Sequence, residues 1–105
     1  MTFDNIKFER HASIPGAVMA RVHLPNCVAV SIVGGGIGLY GDGVDTFEVM
    51  ASFEGTGETI RLQEYDDVLG HQTREDIDEL LIRLGTLKHP WSGRWADVRL
   101  NSKNF

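Results

Sequence analysis

Apolar and polar residues alternate in several short runs, and this period of two predicts the strands of a sheet. The clearest run is residues 17–24, where every second side chain from Val18 to Leu24 is apolar. The other runs are shorter or less regular, and they cover residues 6–10, 27–33, 45–54 and 59–65. Turn residues such as Pro25-Asn26 separate the runs, so consecutive strands are expected to pair. This part of the chain therefore predicts an antiparallel meander of four to five strands with one buried face.

The pattern changes after Thr73 to the period of an amphipathic helix. The apolar positions are spaced i, i+3, i+4 and i+7, and they are Ile77, Leu80, Leu81 and Leu84. The Thr73 hydroxyl is expected to accept from the N–H of Asp76 as an N-cap, and Gly85 to end the helix. Glu79 and Arg83 are predicted to pair across one turn. One C-terminal helix packed on one face of an antiparallel sheet is a two-layer α+β fold.

The length of the chain limits how many domains it can form. Its 105 residues support one hydrophobic core, which we predict for a single domain over residues 1–87. Residues 88–105 are predicted to be a C-terminal extension packed on this domain. They contain Trp91 and Trp95 on either side of Arg94. Trp and Arg are enriched at binding hot spots, so both tryptophans are candidate partner anchors, and their burial against the sheet is the alternative.

Charge is distributed unevenly along the chain. Residues 1–79 contain 14 acidic and 5 basic residues, net −9, whereas residues 80–105 contain 1 acidic and 5 basic residues, net +4. Seven of the 15 acidic residues fall within 16 positions, and they are Glu64, Asp66, Asp67, Glu75, Asp76, Asp78 and Glu79. Because phosphate contacts need clustered Lys and Arg, direct nucleic-acid binding is not expected. The acidic cluster predicts instead a face that binds a protein with a basic surface.

Six of the ten residues 34–43 are glycine, which rules out a regular strand or helix there. Within them, residues 36–41 match the pattern G-x-G-x-x-G. A dinucleotide site needs this pattern to open a helix, but residues with strand character follow it. We therefore expect a flexible hairpin loop with Ile37, Leu39 and Tyr40 exposed at its tip. A small-ligand or nucleotide site in this loop is the alternative.

The chain shows no recognisable catalytic or metal-binding set. Its four histidines lie in four separate segments, and Cys27 and Ser31 lack the local signature of a nucleophile. Asp66, Asp67 and His71 do not match a metal-ligand spacing, so the two aspartates are expected to cap the turn before the helix. The prediction is a non-enzymatic protein without cofactor or metal. No apolar run is long enough to cross a membrane, and the N-terminus lacks a signal-peptide pattern.

Several segments occur in an order that resembles a family of small bacteriophage-encoded proteins of uncharacterised function, best known from phages of actinobacteria. The segments are Pro25-Asn26, Val30–Val33, Gly38–Tyr40, Phe47–Val49 and Asp66–Gly70 leading into an acidic helix. The resemblance covers residues 17–87. This chain departs from the family at Cys27 and Ala29, where glycine is common, and in its extension beyond the helix. The resemblance implies phage origin, a small α+β fold and a location in the host cytoplasm.

The leading hypothesis is a non-enzymatic phage accessory protein that acts by binding another protein of the host or phage. Its acidic face would inhibit a host defence or nucleic-acid-handling protein, with Tyr40, Trp91 and Trp95 as anchors. Two alternatives stay open. One is a homo-oligomer with a structural or assembly role, and the other is a ligand-binding protein that uses the glycine-rich loop.

Overall fold

An antiparallel sheet and one helix form the fold of the computed structural model, which describes residues 2–63 and 67–87. A 3-10 helix, η1 (Phe3–Asn5), precedes the sheet. The strands of the described residues are β1 (Glu9–Arg10), β2 (Val18–His23), β3 (Val28–Gly34), β4 (Thr46–Phe53), β5 (Thr59–Ile60) and β6 (Val68–Thr73), and the helix is α1 (Arg74–Leu84). Within residues 2–63 and 67–87, the α+β prediction with one helix after the sheet is confirmed.

The first five strands form a meander in the order β1-β2-β3-β4-β5, and every pair is antiparallel. In β2 and β3, Val22 lies opposite Val30, and Val30 in turn lies opposite Ala51 of β4. The strand β6 departs from the meander because it also pairs with β4. It occupies the edge of β4 from Thr46 to Met50, while β5 occupies the continuation of the same edge at Ala51 and Ser52.

The sequence did not predict β6, and the described sheet consequently has six strands instead of four to five. We expected the residues before the helix to form a turn capped by Asp66 and Asp67. Asp66 lies outside the described residues, Asp67 is exposed, and the chain is already a strand from Val68. The strand has no simple alternation, because its two buried positions, Leu69 and Gln72, are three residues apart. The strand predicted over residues 59–65 is also shorter in the described part of the chain, where β5 covers only Thr59–Ile60.

The helix packs its apolar stripe against the inner face of the sheet. All four predicted core residues of α1 are at most 3% exposed, and they are Ile77, Leu80, Leu81 and Leu84. The same core takes in Val22 of β2 and Val49 of β4, each from a run in which the sequence predicted alternate burial, together with Ile32 of β3. Burial of these side chains supplies most of the free energy that favours folding, because apolar area removed from water is stabilising.

Hydrogen bonds fix both ends of the helix. The N–H of Asp76 donates to the Thr73 hydroxyl at 3.1 Å, which confirms the predicted N-cap, and the N–H of Thr73 donates to Asp76 Oδ2 at 3.0 Å. This reciprocal pair is a capping box. At the other end, Asn26 Nδ2 donates to the carbonyl oxygens of Leu84 at 2.8 Å and Leu87 at 3.0 Å. The turn between β2 and β3 therefore holds the C-terminus of the helix.

Candidate functional site

The ten residues that the sequence proposed as a binding site fall into three groups. Glu64, Asp66, Trp91 and Trp95 lie outside the described residues. Asp76 and Asp78 are partly buried and bond within the protein. The exposed members are Tyr40, Asp67, Glu75 and Glu79.

Asp76 and Asp78 use their carboxylates to hold the fold. Asp76 completes the capping box at the start of α1. Asp78 Oδ1 accepts a hydrogen bond from the backbone N–H of Phe3, which attaches η1 to the helix. A hydrogen bond to a charged acceptor of this kind contributes more to stability than a bond between neutral groups. A partner protein would therefore compete with internal hydrogen bonds at these two carboxylates.

The predicted pair of Glu79 and Arg83 is present on the exposed side of the helix. Arg83 Nη2 lies 3.5 Å from Glu79 Oε1. An exposed ion pair across one helical turn contributes only about 0.3–0.5 kcal/mol to stability. The energetic effect of this ion pair on the fold is thus small.

The glycine-rich loop, residues 35–45, is hydrogen-bonded throughout its length. The N–H of Gly35 donates to the Gly41 carbonyl at 3.0 Å, and the N–H of Gly43 donates to the Thr46 carbonyl at 2.9 Å. Asp42 Oδ1 accepts from three further backbone N–H groups, those of Val44 at 2.8 Å, Asp45 at 2.8 Å and Thr46 at 3.0 Å. These bonds give the loop a defined conformation, in contrast to the flexible hairpin expected from its composition.

The backbone hydrogen bonds to Asp42 also lower the pKa of its carboxyl. The backbone N–H of Thr46, followed by those of Val44 and Asp45, lowers the pKa of the Asp42 carboxyl from 3.8 to about 2. A pKa depressed by folding means that the carboxylate stabilises the fold above pH 3.8, and that this contribution is lost as the pH falls towards about 2. We predict that Asp42→Ala lowers the melting temperature at neutral pH and that its difference from the wild type shrinks across this interval.

Thermal unfolding followed by circular dichroism at a series of pH values would measure this effect. Asp45→Ala is the matched control, because Asp45 is an exposed acid of the same loop whose carboxylate makes no hydrogen bond among the described residues. An Asp42→Ala difference that stays constant from pH 7 to about 2 would contradict the assignment.

The loop is docked on β6 and on the first residue of the helix. The Tyr40 carbonyl accepts from the N–H of His71 at 2.7 Å, and the Val44 carbonyl accepts from Arg74 Nη2 at 2.9 Å. Gly70 leaves space for this contact, because a Cβ atom there would lie 2.6 Å from the Cβ of Tyr40. The loop is consequently fixed relative to the sheet at both Tyr40 and Val44.

A β-bulge in β6 shapes the contact with Tyr40. Phe47 of β4 lies opposite Gln72 and Val49 lies opposite Leu69, so Glu48 alone faces the two residues 70 and 71. His71 takes a left-handed conformation at this bulge, with φ of 54°. Histidine tolerates this region better than most residues, although the conformation still costs about 1 kcal/mol. The bulge directs the N–H of His71 out of the β4 ladder and towards the loop.

The loop exposes both apolar side chains and carboxylates. Ile37 is 97% exposed, and Tyr40 and Val44 are each 60% exposed. Leu39, which we expected beside them, is half-buried. The ring of Tyr40 lies 6.1 Å from that of His71. We refer to the following group as the Tyr40 surface: Ile37, Tyr40, Asp42, Val44, Asp45, Glu48 and His71.

The sequence reasoning missed five members of the Tyr40 surface as site residues, and they are Asp42, Val44, Asp45, Glu48 and His71. Val44 was assigned neither to the loop tip nor to the following strand, because its position between Gly43 and Asp45 fits no regular alternation. His71 was considered only as a metal ligand. Its role at the bulge depends on pairing between β4 and β6, and a local pattern carries no signal for that pairing.

The G-x-G-x-x-G pattern does not form a phosphate-binding turn of the dinucleotide type. The strand β4 follows the loop, so no helix N-terminus faces it. The N–H groups of Gly35, Leu39 and Gly43 also donate within the loop or to Thr46. These three donors are therefore already used inside the protein.

Within residues 2–63 and 67–87, no three His, Cys, Asp or Glu side chains are grouped to hold a metal ion. The helices of this described part are also too short to span a membrane. The described residues form a small α+β fold whose glycine-rich loop exposes Ile37, Tyr40 and Val44. Comparison of the chain with models of known protein families, with curated proteins and with solved structures finds no match.

Proposed function

We propose that the chain is a non-enzymatic accessory protein of phage origin that binds a protein with a basic surface in the host cytoplasm. The observation that supports this most directly is the Tyr40 surface. It presents Ile37, Tyr40 and Val44 to solvent on a hydrogen-bonded loop. Several exposed apolar side chains on one short loop favour an interaction site.

The fixed conformation of the loop favours tight binding. Tyrosine supplies a large contact area with few rotatable bonds, which is one reason for its enrichment at hot spots. The bonds from His71 to Tyr40 and from Arg74 to Val44 order the backbone before a partner arrives. Binding then loses less conformational entropy than it would with a mobile loop.

Carboxylates around the apolar residues select the charge of the partner. Asp42, Asp45 and Glu48 belong to the Tyr40 surface, and Glu75 lies directly after Arg74, which contacts the loop. Negative potential accelerates association with a positively charged partner and disfavours acidic competitors. Proteins that handle nucleic acids carry such positive surfaces because they contact phosphates. A host defence or nucleic-acid-handling protein is therefore the target class that we propose, and inhibition would follow from occupation of that surface.

A pull-down from host lysate with the tagged full chain, at low and at high salt, tests this function. We expect one enriched protein whose recovery falls as salt rises. Tyr40→Ala should raise the dissociation constant at least tenfold. Ile82→Ala, which also truncates an exposed apolar side chain but on the helix, should leave it unchanged. Truncation after Leu87 measures the contribution of Trp91 and Trp95.

The acidic contribution requires variants that preserve the fold. Glu75→Gln with Glu79→Gln should slow association and reduce the salt dependence, because both side chains are exposed. Asp76→Asn is the comparison that alters the capping box instead. Equal binding by wild type, Tyr40→Ala and the double glutamine variant would refute the proposed surface.

A further inference from the structure

The glycine-rich loop contains the dipeptide Asp42-Gly43, and no other aspartate of the sequence precedes a glycine. In such a dipeptide the backbone nitrogen of the glycine can attack the side-chain carboxyl of the aspartate, because glycine has no side chain that hinders the approach. The attack forms a cyclic imide, which opens to isoaspartate or back to aspartate. Among the aspartates of this chain, Asp42 therefore has the highest intrinsic reactivity towards isomerisation.

The fold requires both residues of this dipeptide. Asp42 Oδ1 accepts hydrogen bonds from the three backbone N–H groups of residues 44–46. Gly43 has a φ of 78°, and a Cβ atom there would lie 2.8 Å from the Gly35 nitrogen and 2.9 Å from the Gly34 carbonyl carbon. A side chain at position 43 would consequently clash with backbone atoms. The loop thus retains a reactive dipeptide for structural reasons.

The closed loop withholds the attacking nitrogen. The Gly43 N–H donates to the Thr46 carbonyl at 2.9 Å. For the reaction, this nitrogen must lose its proton and turn towards the carboxyl carbon of Asp42, and both changes break the bond to Thr46. The close approach of Gly43 to the backbone of Gly35 also leaves no room for the turn.

The carboxyl of Asp42 is also held in its unreactive, ionised form. Loss of water from the carboxyl requires the protonated form, whereas the three N–H donors stabilise the carboxylate. The backbone N–H of Thr46, followed by those of Val44 and Asp45, lowers the pKa of Asp42 from 3.8 to about 2. Because Asp42 is exposed, water reaches the group, and the protection comes from hydrogen bonds and not from burial.

We propose that Asp42-Gly43 is a latent site of isoaspartate formation, which the closed loop keeps unreactive and which reacts when the loop opens. In the open loop, the Gly43 nitrogen loses its proton and bonds to Asp42 Cγ, while a carboxyl oxygen leaves as water. A water molecule from the solvent then adds to one carbonyl of the imide. Cleavage between the nitrogen and the former main-chain carbonyl carbon gives isoaspartate, whereas cleavage at Cγ restores aspartate. The mass of the chain is unchanged.

Isoaspartate at position 42 is incompatible with the closed loop. The main chain gains a methylene group there, and the Cγ that carried the carboxylate becomes part of the peptide bond. The N–H groups of residues 44–46 lose the acceptor that Asp42 Oδ1 provided. A transient opening is thereby converted into a permanent change of the loop that carries Tyr40. The reaction itself does not depend on the proposed partner protein.

Incubation of the purified full chain at neutral pH and physiological temperature tests the proposal. Digestion after Arg21 and Arg61 releases residues 22–61 as one peptide, in which electron-transfer fragmentation locates isoaspartate at position 42. The folded chain should react at least about tenfold more slowly than the same chain in urea at the same pH, because an open state populated below about 10% limits the reaction. Equal rates in the folded and unfolded chains would overturn the proposal.

Hydrogen exchange of the Gly43 N–H provides a second and stricter test, because it measures how rarely the loop opens. Exchange and isomerisation both require the release of this N–H from Thr46. Folding should therefore slow isomerisation by a factor at least as large as the protection factor of the Gly43 N–H. A smaller factor would show that the closed loop itself reacts, which is contrary to the proposal.

Gly41→Ala and Gly38→Ala vary the opening of the loop without altering the two reacting residues. A Cβ atom at Gly41 would lie 2.6 Å from the Phe47 Cα, whereas a Cβ at Gly38 meets no atom within 4 Å. Gly41→Ala should therefore bring the folded-state rate towards the rate in urea, and Gly38→Ala should differ little from the wild type. Division of each rate by that of the same variant in urea removes any intrinsic effect of the substitution. The proposal fails if isomerisation does not rise with Gly43 exchange across the three chains.

Discussion

Leu80→Ala is expected to lower the free energy of unfolding by about 3 kcal/mol, within the 2–5 kcal/mol range of such changes in cores. Leu80 is fully buried in α1, where it belongs to the core shared by the helix and the sheet. Removing its side chain loses apolar burial and leaves a cavity that the sheet cannot collapse to fill. Urea denaturation followed by circular dichroism measures the change. For a small domain this is a large fraction of the total stability.

Ile82→Ala is the matched control on the same helix. Ile82 is 69% exposed, two residues from Leu80, and its loss should change stability by no more than about 0.5 kcal/mol. Both variants remove a branched apolar side chain from the same helix and differ in its burial. Equal destabilisation would therefore contradict the packing of the helix on the sheet.

The contrast between Leu80 and Ile82 also shows why the helix could be predicted. The four buried positions of α1 follow the helical period. The Thr73 cap and Gly85, which mark the ends of the helix, lie within a few residues of these positions. All of this information is local. The strands β2 and β4 could also be predicted, because their buried residues alternate. The strand β3 follows the same pattern from Val30 onwards, but it also buries Ala29 between Val28 and Val30.

The strand β6 could not be predicted because its form depends on distant residues. A bulge places two residues opposite Glu48, so the buried positions lose their alternation. One of them is Gln72, a polar residue whose burial no hydrophobicity pattern indicates. Gly70 is required by the Cβ of Tyr40, thirty positions earlier in the chain. A glycine and a buried glutamine resemble a turn when only neighbouring residues are considered.

The candidate site was predictable to a similar, limited extent. Tyr40 was singled out correctly as exposed, because six glycines around it exclude a regular element. The internal bond of Asp76 was foreseeable from the spacing to Thr73, but charge counting alone placed it on a binding face. The bond from Phe3 to Asp78 spans 75 positions and has no local signal. Clustering of acidic residues in sequence thus overstates the negative surface available to a partner.

Gly41→Ala is expected to destabilise the protein by about 2–3 kcal/mol, the upper part of the range for overpacked sites. A Cβ atom at Gly41 would lie 2.6 Å from the Phe47 Cα, 2.7 Å from the Phe47 nitrogen and 2.7 Å from the Thr46 carbonyl oxygen. All three atoms belong to the backbone of β4, which is held in the centre of the sheet. The loop must therefore move, and its movement breaks the bond between Gly41 and Gly35. Thermal unfolding measures the global loss of stability.

Gly38→Ala separates this clash from the general effect of replacing a loop glycine. Gly38 has a φ of 88°, but no atom lies within 4 Å of its added Cβ, so only backbone strain of about 1 kcal/mol opposes alanine. Hydrogen exchange of the His71 N–H, which bonds to Tyr40, reports on the loop itself. It should accelerate strongly in Gly41→Ala and little in Gly38→Ala, because only the former displaces the loop from β6. Equal exchange in both variants would mean that close approach to β4 does not hold Tyr40 in place, and the argument for a preformed binding loop would fail with it.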